Sequence, residues 1–273
     1  EVMKFFHPLD NPQLRVLSLG AGVQSSVVAL MADQEAFGPK PDVAIFADTG
    51  WEPRAVYDHL EWLTNMLTFP VEIVSAGDIK NDILHGERFA SIPFFTGSGG
   101  IGRRQCTREY KIDPIQKRVR ELLGLKPRQR NPKEKIVEML IGISRDEIQR
   151  VKESRWEYMH HRFPLIEHKM TREDCKQWFA ERYPDRHLPR SACIGCPYHT
   201  DHEWRHMRDN DPDSWAEALE FDDAVRDSPK RKGMEDQVFL HRQRVPLREV
   251  DLSTPEDHGQ LSFLDECEGM CGL

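Results

Sequence analysis

The stretch Arg15-Val16-Leu17-Ser18-Leu19-Gly20-Ala21-Gly22-Val23-Gln24-Ser25-Ser26-Val27-Val28-Ala29-Leu30 decides how this chain is read. Val16, Leu17 and Leu19 make a short apolar run, the pattern of a strand covered on both faces. Gly20 and Gly22 allow a tight turn and a close approach of backbone to ligand, with no Cβ in the way. Ser25, Ser26 and the free amides of the following apolar helix then point at an anion, with the helix dipole behind them. An ordinary strand-to-helix turn has the same local appearance, so the neighbouring segments have to decide.

Working outward, the same unit recurs. Residues 42–47 read as a second strand that delivers Asp48-Thr49-Gly50, followed by a helix over 53–66 with Pro53 in its first turn. Residues 71–75 read as a third strand, and 136–143 as a further one that delivers Ser144-Arg145-Asp146-Glu147. Strands alternating with helices imply a parallel sheet, and ligands of such sheets bind beyond the carboxyl ends of the strands. The Gly20–Ser26 loop, Asp48-Thr49-Gly50 and Arg145 are all expected at that edge. The fold class expected is therefore α/β: a parallel, doubly wound sheet over residues 1–160, then a helical, cysteine-bearing carboxyl-terminal region over 161–273. Residues 89–105, rich in Gly, Ser and Phe, read as a long mobile loop, and 114–123 as a helix.

The 273 residues carry a net charge of −8, which excludes a generic nucleic-acid binder. The charge is uneven, with twelve Lys and Arg between Arg103 and Lys135. A basic patch of this kind is either a solvated face or a track for a polynucleotide. No apolar run approaches membrane-spanning length, so no membrane partner is expected. Without a secretory signal in this sequence, the expected location is cytoplasmic.

Six cysteines are present: Cys106, Cys175, Cys193, Cys196, Cys267 and Cys271. In a reducing compartment they point to metal or redox chemistry ahead of a disulfide framework. Cys193-Ile194-Gly195-Cys196-Pro197 can grip one metal centre, and Cys106, set among arginines, is favoured as thiolate. Three soft ligands suit a [4Fe–4S] cluster. Zn²⁺ with His199 and His202 is the alternative, and a metal-free dithiol a third. Cys175, on an amphipathic helix, reads as a core thiol. Cys267 and Cys271 stand in a tail with glycines and acids, which either frays or carries a reactive thiol.

Together these residues resemble the PP-loop ATP pyrophosphatases of the adenine-nucleotide α-hydrolase (HUP) fold, within them the PAPS reductase-like group and its iron–sulfur branch. Gly20-Ala21-Gly22-Val23-Gln24-Ser25 occupies the place of the family's Ser-Gly-Gly-x-Asp-Ser loop. Asp48-Thr49-Gly50 is similar to its second-strand segment, Cys106 through Lys111 to Pro114 to its Cys…Lys…Pro segment, and Gly142 to Glu147 to its Gly-x-x-x-x-Glu segment. Two positions depart from the pattern: Gly20 replaces the first serine and Gln24 the aspartate.

The resemblance implies cleavage of ATP, with Mg²⁺, to AMP and pyrophosphate while an acceptor is adenylated for sulfur transfer. The acceptor is a nucleic acid, as in DNA phosphorothioation or tRNA thiolation, and the sulfur comes from a donor such as a cysteine desulfurase. It further implies that Ser18, Gly20, Ala21, Gly22, Gln24, Ser25, Ser26, Asp48, Thr49 and Gly50 hold the nucleotide. Arg104, Arg108, Lys111 and Arg145 would offset developing charge, and Cys106, Cys193 and Cys196 would hold the cluster. The alternatives are a reductase of PAPS or APS with Cys267 or Cys271 as nucleophile, and a non-catalytic nucleotide- and metal-binding protein. A homo-oligomer is compatible with all three.

Overall fold

The computed structural model describes residues 7–86, 91–227 and 236–253. In chain order its elements begin β1 (Leu14–Leu19), α1 (Val23–Asp33), β2 (Val43–Asp48), α2 (Arg54–Met66), β3 (Val71–Ser75), α3 (Ile79–His85) and β4 (Phe95–Thr96). A π-helical turn (Thr107–Ile112) leads into α4 (Asp113–Leu122) and β5 (Val137–Ile141). A 3₁₀ turn (Arg145–Arg150) leads into β6 (Met159–Arg162), α5 (Pro164–Glu167) and α6 (Arg172–Arg182). The chain continues through α7 (Asp201–Asn210), α8 (Pro212–Val225) and β7 (Val238–Phe239). No described helix is long and apolar enough to cross a membrane.

The described residues fall into two compact units. Residues 7–48, 54–75 and 112–191 form the sheet unit; 49–53, 76–86, 91–111, 192–227 and 236–253 form the second. The sheet unit carries five parallel strands in the order β3-β2-β1-β5-β6, which is the α/β fold expected. Alternation of side chains along each strand feeds two cores. Leu17, Leu19, Ala44, Phe46 and Leu140 face α1 and α2 in one cluster. Val16, Val43, Ile45, Val137 and Met139 face Ile115 and Val119 of α4 in the other. Helices on both faces make the sheet doubly wound. The sheet unit continues past residue 160 because the chain returns to pack α6 on α1, with Cys175 and Phe179 entering the first cluster. Burial pushes the Cys175 thiol pKa up to about 12, as befits a core thiol.

Glu138 sits in an otherwise apolar β5, fully buried. It is opposed by Arg15 of β1 at 3.3 Å and Arg162 of β6 at 3.6 Å, and Arg162 also pairs with Glu167 at 2.8 Å. A charge buried in this way is tolerated only when it is paired. A one-residue slip of any of the three strands would carry a charge to the wrong face.

In the second unit, Trp51, Phe94, Trp204, Phe221 and Leu240 build a separate core. The mobile loop expected over 89–105 is corrected in its described part. β4 pairs antiparallel with β7, the Gly102 amide donates to the Phe94 carbonyl at 2.8 Å, and Gln105 and Cys106 both donate to the Ser91 carbonyl. One of the partners that order it, β7, lies some 140 residues away in the chain.

His59 of α2 is buried against α1, its Nε2 2.9 Å from Ser26 Oγ. Burial, then the nearby Arg186 charge, lower its pKa from 6.5 to about 4. The unfolded chain therefore binds a proton that the fold refuses. This contribution is fully present above pH 6.5 and is lost as the pH falls toward 4. Its full size is about 3 kcal/mol. His59→Gln should flatten the dependence of unfolding free energy on pH between 6.5 and 4.5; an unchanged slope in denaturant titrations would refute this.

Candidate functional site

In the sheet unit, β1 has β2 on one side and β5 on the other, so the winding reverses beside it. The loops after β1 and β5 leave in opposite directions there, opening the crevice where ligands of such sheets bind. The β1–α1 turn forms one wall. Its left-handed residue is Ala21, with φ of 54°, and neither flanking glycine has positive φ. This corrects the expectation that Gly20 and Gly22 supply the tight conformation. Gly22 instead leaves room for Ser191, whose Cβ would lie 3.3 Å from an added methyl group. A left-handed non-glycine residue in a βα turn is strained, and such strain gathers at binding sites.

Ser25 Oγ accepts from the amides of Gly20 (3.2 Å) and Gly22 (3.3 Å) and so braces the turn from inside. The amides of the first α1 turn have no carbonyl of their own helix to bond, by helix geometry. The opposite wall comes as close as backbone allows. A Cβ on Gly142, just past β5, would lie 2.8 Å from the Ser25 nitrogen and 2.9 Å from its Cα. Asp48 ends β2 at the same edge and accepts from the Tyr57 hydroxyl at 2.8 Å. Ser18 lies in β1 itself, in register with Ile45 and Ile141. Ser26 is buried against His59, so it faces the core and not a ligand, which corrects its expected role.

Gln24 is likewise turned inward. Its amide donates to Glu147 at 3.0 Å and Ser144 at 3.4 Å, and its oxygen accepts from Arg172 at 3.0 Å. Glu147 also pairs with Arg150. Position 24 therefore clamps the two loops together, where a nucleotide contact had been expected. Residues 20–26 contain no carboxylate, and the Gln24 oxygen is already occupied, so the loop offers Mg²⁺ no anionic ligand. Arg145, exposed at the start of the 3₁₀ turn, has its amide on the Met170 carbonyl at 2.8 Å.

The chain changes unit between Asp48 and Thr49, and the remaining expected site residues lie in the second unit. Thr49 Oγ1 is 3.2 Å from Cys193 Sγ. The Ile194 amide donates to the Trp51 carbonyl at 2.9 Å, and the Cys196 amide to the Cys193 carbonyl at 3.0 Å, closing the Cys-x-x-Cys turn. His199 Nε2 lies 3.0 Å from that same carbonyl. Gly195 is pressed on the Trp51 ring, where an added Cβ would fall 2.0 Å from a ring carbon. Cys106 and Cys193 both pack on the core of this unit.

Arg104 lies over the Tyr198 ring at 5.4 Å, Lys111 pairs with the buried Glu52 at 3.2 Å, and Arg108 belongs to the intervening π-helical turn. Lys111 is thus committed to a structural carboxylate. Sulfur donors fit a soft metal centre in kind, though among the described residues no three His, Cys, Asp or Glu side chains are gathered as a cage for one ion. Cys267 and Cys271 lie outside the described residues. The sequence reading missed Thr49 and Trp51 as partners of the cysteine turn; the only signal was their place at the end of β2.

No protein-family model matches the chain, and no curated protein matches it in sequence. Among solved structures, the phosphoadenylyl-sulfate (PAPS) reductase of Candida auris, a phosphate complex, aligns with 67% of this chain and covers 76% of its own. The identity is 16% and the TM-score 0.43.

Two substitutions test this geometry. Gln24→Asp sets a second carboxylate against Glu147 and removes the amide donor to Glu147 and Ser144. It should cost about 2 kcal/mol. One of the two acids then holds a raised pKa in the fold, so the loss should be larger at pH 8 than at pH 5 in thermal melts. A pH-independent loss would show that the two carboxylates do not meet. Gly195→Ala should destabilise the second unit by about 1–3 kcal/mol through overpacking. Combined with Trp51→Leu, its additional cost should largely vanish; strict additivity would deny the contact.

Proposed function

We propose that the chain is an enzyme of the PP-loop kind that binds an adenine nucleotide at the crevice beside β1. The observation that carries this reading is the braced, strained Gly20–Ser25 turn facing Gly142 where the winding reverses. In this reading the amides of the first α1 turn hold the pyrophosphate moiety, with the helix dipole adding to the attraction, while the Gly20 and Gly22 amides stay on Ser25 Oγ and fix the shape of the turn. An acceptor oxygen attacks the α-phosphorus of ATP, the bond to the β-phosphate oxygen breaks, and pyrophosphate leaves. A sulfur nucleophile then displaces AMP from the adenylated acceptor. The acceptor is proposed to be a nucleic acid. Arg145 is proposed to offset charge developing on the phosphates. No step is assigned to Mg²⁺ at position 24.

Cys106, Cys193 and Cys196 are proposed as ligands of an iron–sulfur cluster, with zinc as the competing occupant. Such a cluster, when bound, supplies a soft site for sulfur. It also spreads its cysteine sulfurs wider than one ion does, so thiols need not converge on a single point. Thr49 then has the role of orienting Cys193, and His199 that of steadying its carbonyl.

A specific observation favours a second reading. With an amide at position 24 and no loop carboxylate, the site suits a nucleotide that is itself the substrate, as in reduction of PAPS or APS. There a carboxyl-terminal thiolate would attack the sulfate sulfur and release the nucleotide.

Anaerobically purified protein, incubated with ATP with and without nucleic acid, should release pyrophosphate. Ser25→Ala should slow this at least about tenfold, the scale of a lost bond near a charged group. Silence with ATP, together with sulfite from PAPS in the presence of a dithiol reductant that frees it from the enzyme S-sulfonate and ends as the disulfide, and that disappears in Cys267→Ser or Cys271→Ser, would replace the first reading by the second. Iron analysis and a brown colour would decide cluster against zinc.

A further inference from the structure

The sheet unit has a second concavity at the opposite end of its strands. Lys133 and Lys135 precede β5, and Trp156 and Glu157 precede β6; together with Glu153, His160 and His161 they line a cavity of about 290 Å³. It therefore lies at the amino ends of β5 and β6, away from the carboxyl-end crevice. His160 and His161 are both more than nine-tenths buried.

Each histidine has one ring nitrogen held by a backbone carbonyl: His160 Nε2 by that of His7 at 3.0 Å, His161 Nδ1 by that of Lys152 at 3.1 Å. A carbonyl only accepts, so the bonded nitrogen carries the hydrogen in each ring. Burial lowers the His161 pKa; the hydrogen bond to the Lys152 carbonyl opposes this, and the nearby His160 and Lys135 add to the lowering. In the neutral ring the second nitrogen of His161 is an acceptor. The exposed carboxylates of Glu153 and Glu157 are acceptors too. A flat, uncharged group bearing N–H donors fits this lining, and Trp156 supplies an aromatic surface, with the Arg155 guanidinium already over its ring at 4.5 Å.

Beside the cavity runs a cationic loop held in shape by one residue. Arg120 donates to the carbonyls of Lys126 (3.1 Å) and Gln129 (2.8 Å) and to the Asn131 side chain. The Lys126 amide is bonded to the Gln129 side chain at 3.0 Å. Lys126, Arg128, Arg130, Lys133 and Lys135 are exposed along it. Cations on an ordered loop next to an aromatic, acceptor-lined cavity are the two components of single-strand recognition: charge for the backbone and a stacking platform for a base.

We propose that this amino-end cavity takes one unpaired base of a single-stranded nucleic acid, with the flanking phosphates on the 126–135 loop. Exocyclic amino groups would meet the histidine and glutamate acceptors, which favours adenine and cytosine over uracil and thymine. This rests on the nucleic-acid part of the proposed function and specifies where the strand is gripped.

The test is fluorescence anisotropy of labelled single strands about 12 nucleotides long, within the span of one single-strand module. Poly-dA, poly-dC and poly-dT are compared on the intact chain. Wild type should bind dA and dC more tightly than dT. Trp156→Ala should weaken binding about tenfold, and Trp156→Phe should restore most of it. Arg130→Glu combined with Lys133→Glu, both exposed and therefore safe for folding, should weaken all three strands and reduce the salt dependence.

Absence of binding by wild type overturns the proposal, as does binding indifferent to Trp156 and to the loop charges. Pyrophosphate release with and without nucleic acid is measured alongside. If it is absent under both conditions while Trp156-dependent binding persists, the ATP reading fails and this one stands. If release occurs while binding ignores Trp156, the reverse holds.

Discussion

β1 is hydrogen-bonded on both flanks, to β2 and to β5, and this one constraint positions the polar chemistry of the sheet unit. A parallel strand paired on both sides is fully desolvated, so Val16, Leu17 and Leu19 have to be apolar on both faces. Because β5, which enters the sheet after β3, pairs on the far flank of β1, the windings on the two sides run in opposite directions. The crevice between the loops after β1 and β5 follows from topology before any side chain is chosen. Side chains then settle how closely the walls approach. Gly142 admits the Ser25 backbone, and Ser25 in turn gathers the Gly20 and Gly22 amides.

The fold was largely legible because its information is periodic and local. Runs such as Val43-Ala44-Ile45-Phe46-Ala47 can hardly be anything but a buried strand between helices, and the observed bounds lie within a residue or two of those read from the sequence. Glu138 shows where such reading stops. An acid within an apolar strand makes sense only once Arg15 and Arg162 are known to flank it in the sheet. The same holds for 91–105, whose order depends on β7, and for Thr49 with Cys193, separated by 144 positions.

The site was legible in type more than in role. Glycines and serines after β1 announce a turn that can approach an anion, and the structure contains that turn. Which residue bears the strain was not legible, since composition favours glycine and the backbone chose Ala21. Ser26 looked like a ligand and is a core partner of His59, because position 26 falls one helical step round from the face that looks out of the sheet.

Gln24 carries the sharpest lesson in physical terms. As an isolated letter it is a missing carboxylate. In the structure it is one member of a connected set: its amide bonds to Glu147 and Ser144, its oxygen to Arg172, and Glu147 again to Arg150. An aspartate there would leave Glu147 without its donor and bring two acids together, so the residues at 24, 147 and 172 constrain one another. A connected network of this kind is rigid, and this one ties the loop after β1 to the loop after β5 from behind. The side of the turn that faces the crevice is left to backbone amides and the α1 dipole. The crevice side of the turn thus consists of main chain, which side-chain substitution cannot remove, while the side chains beneath it keep the main chain in place.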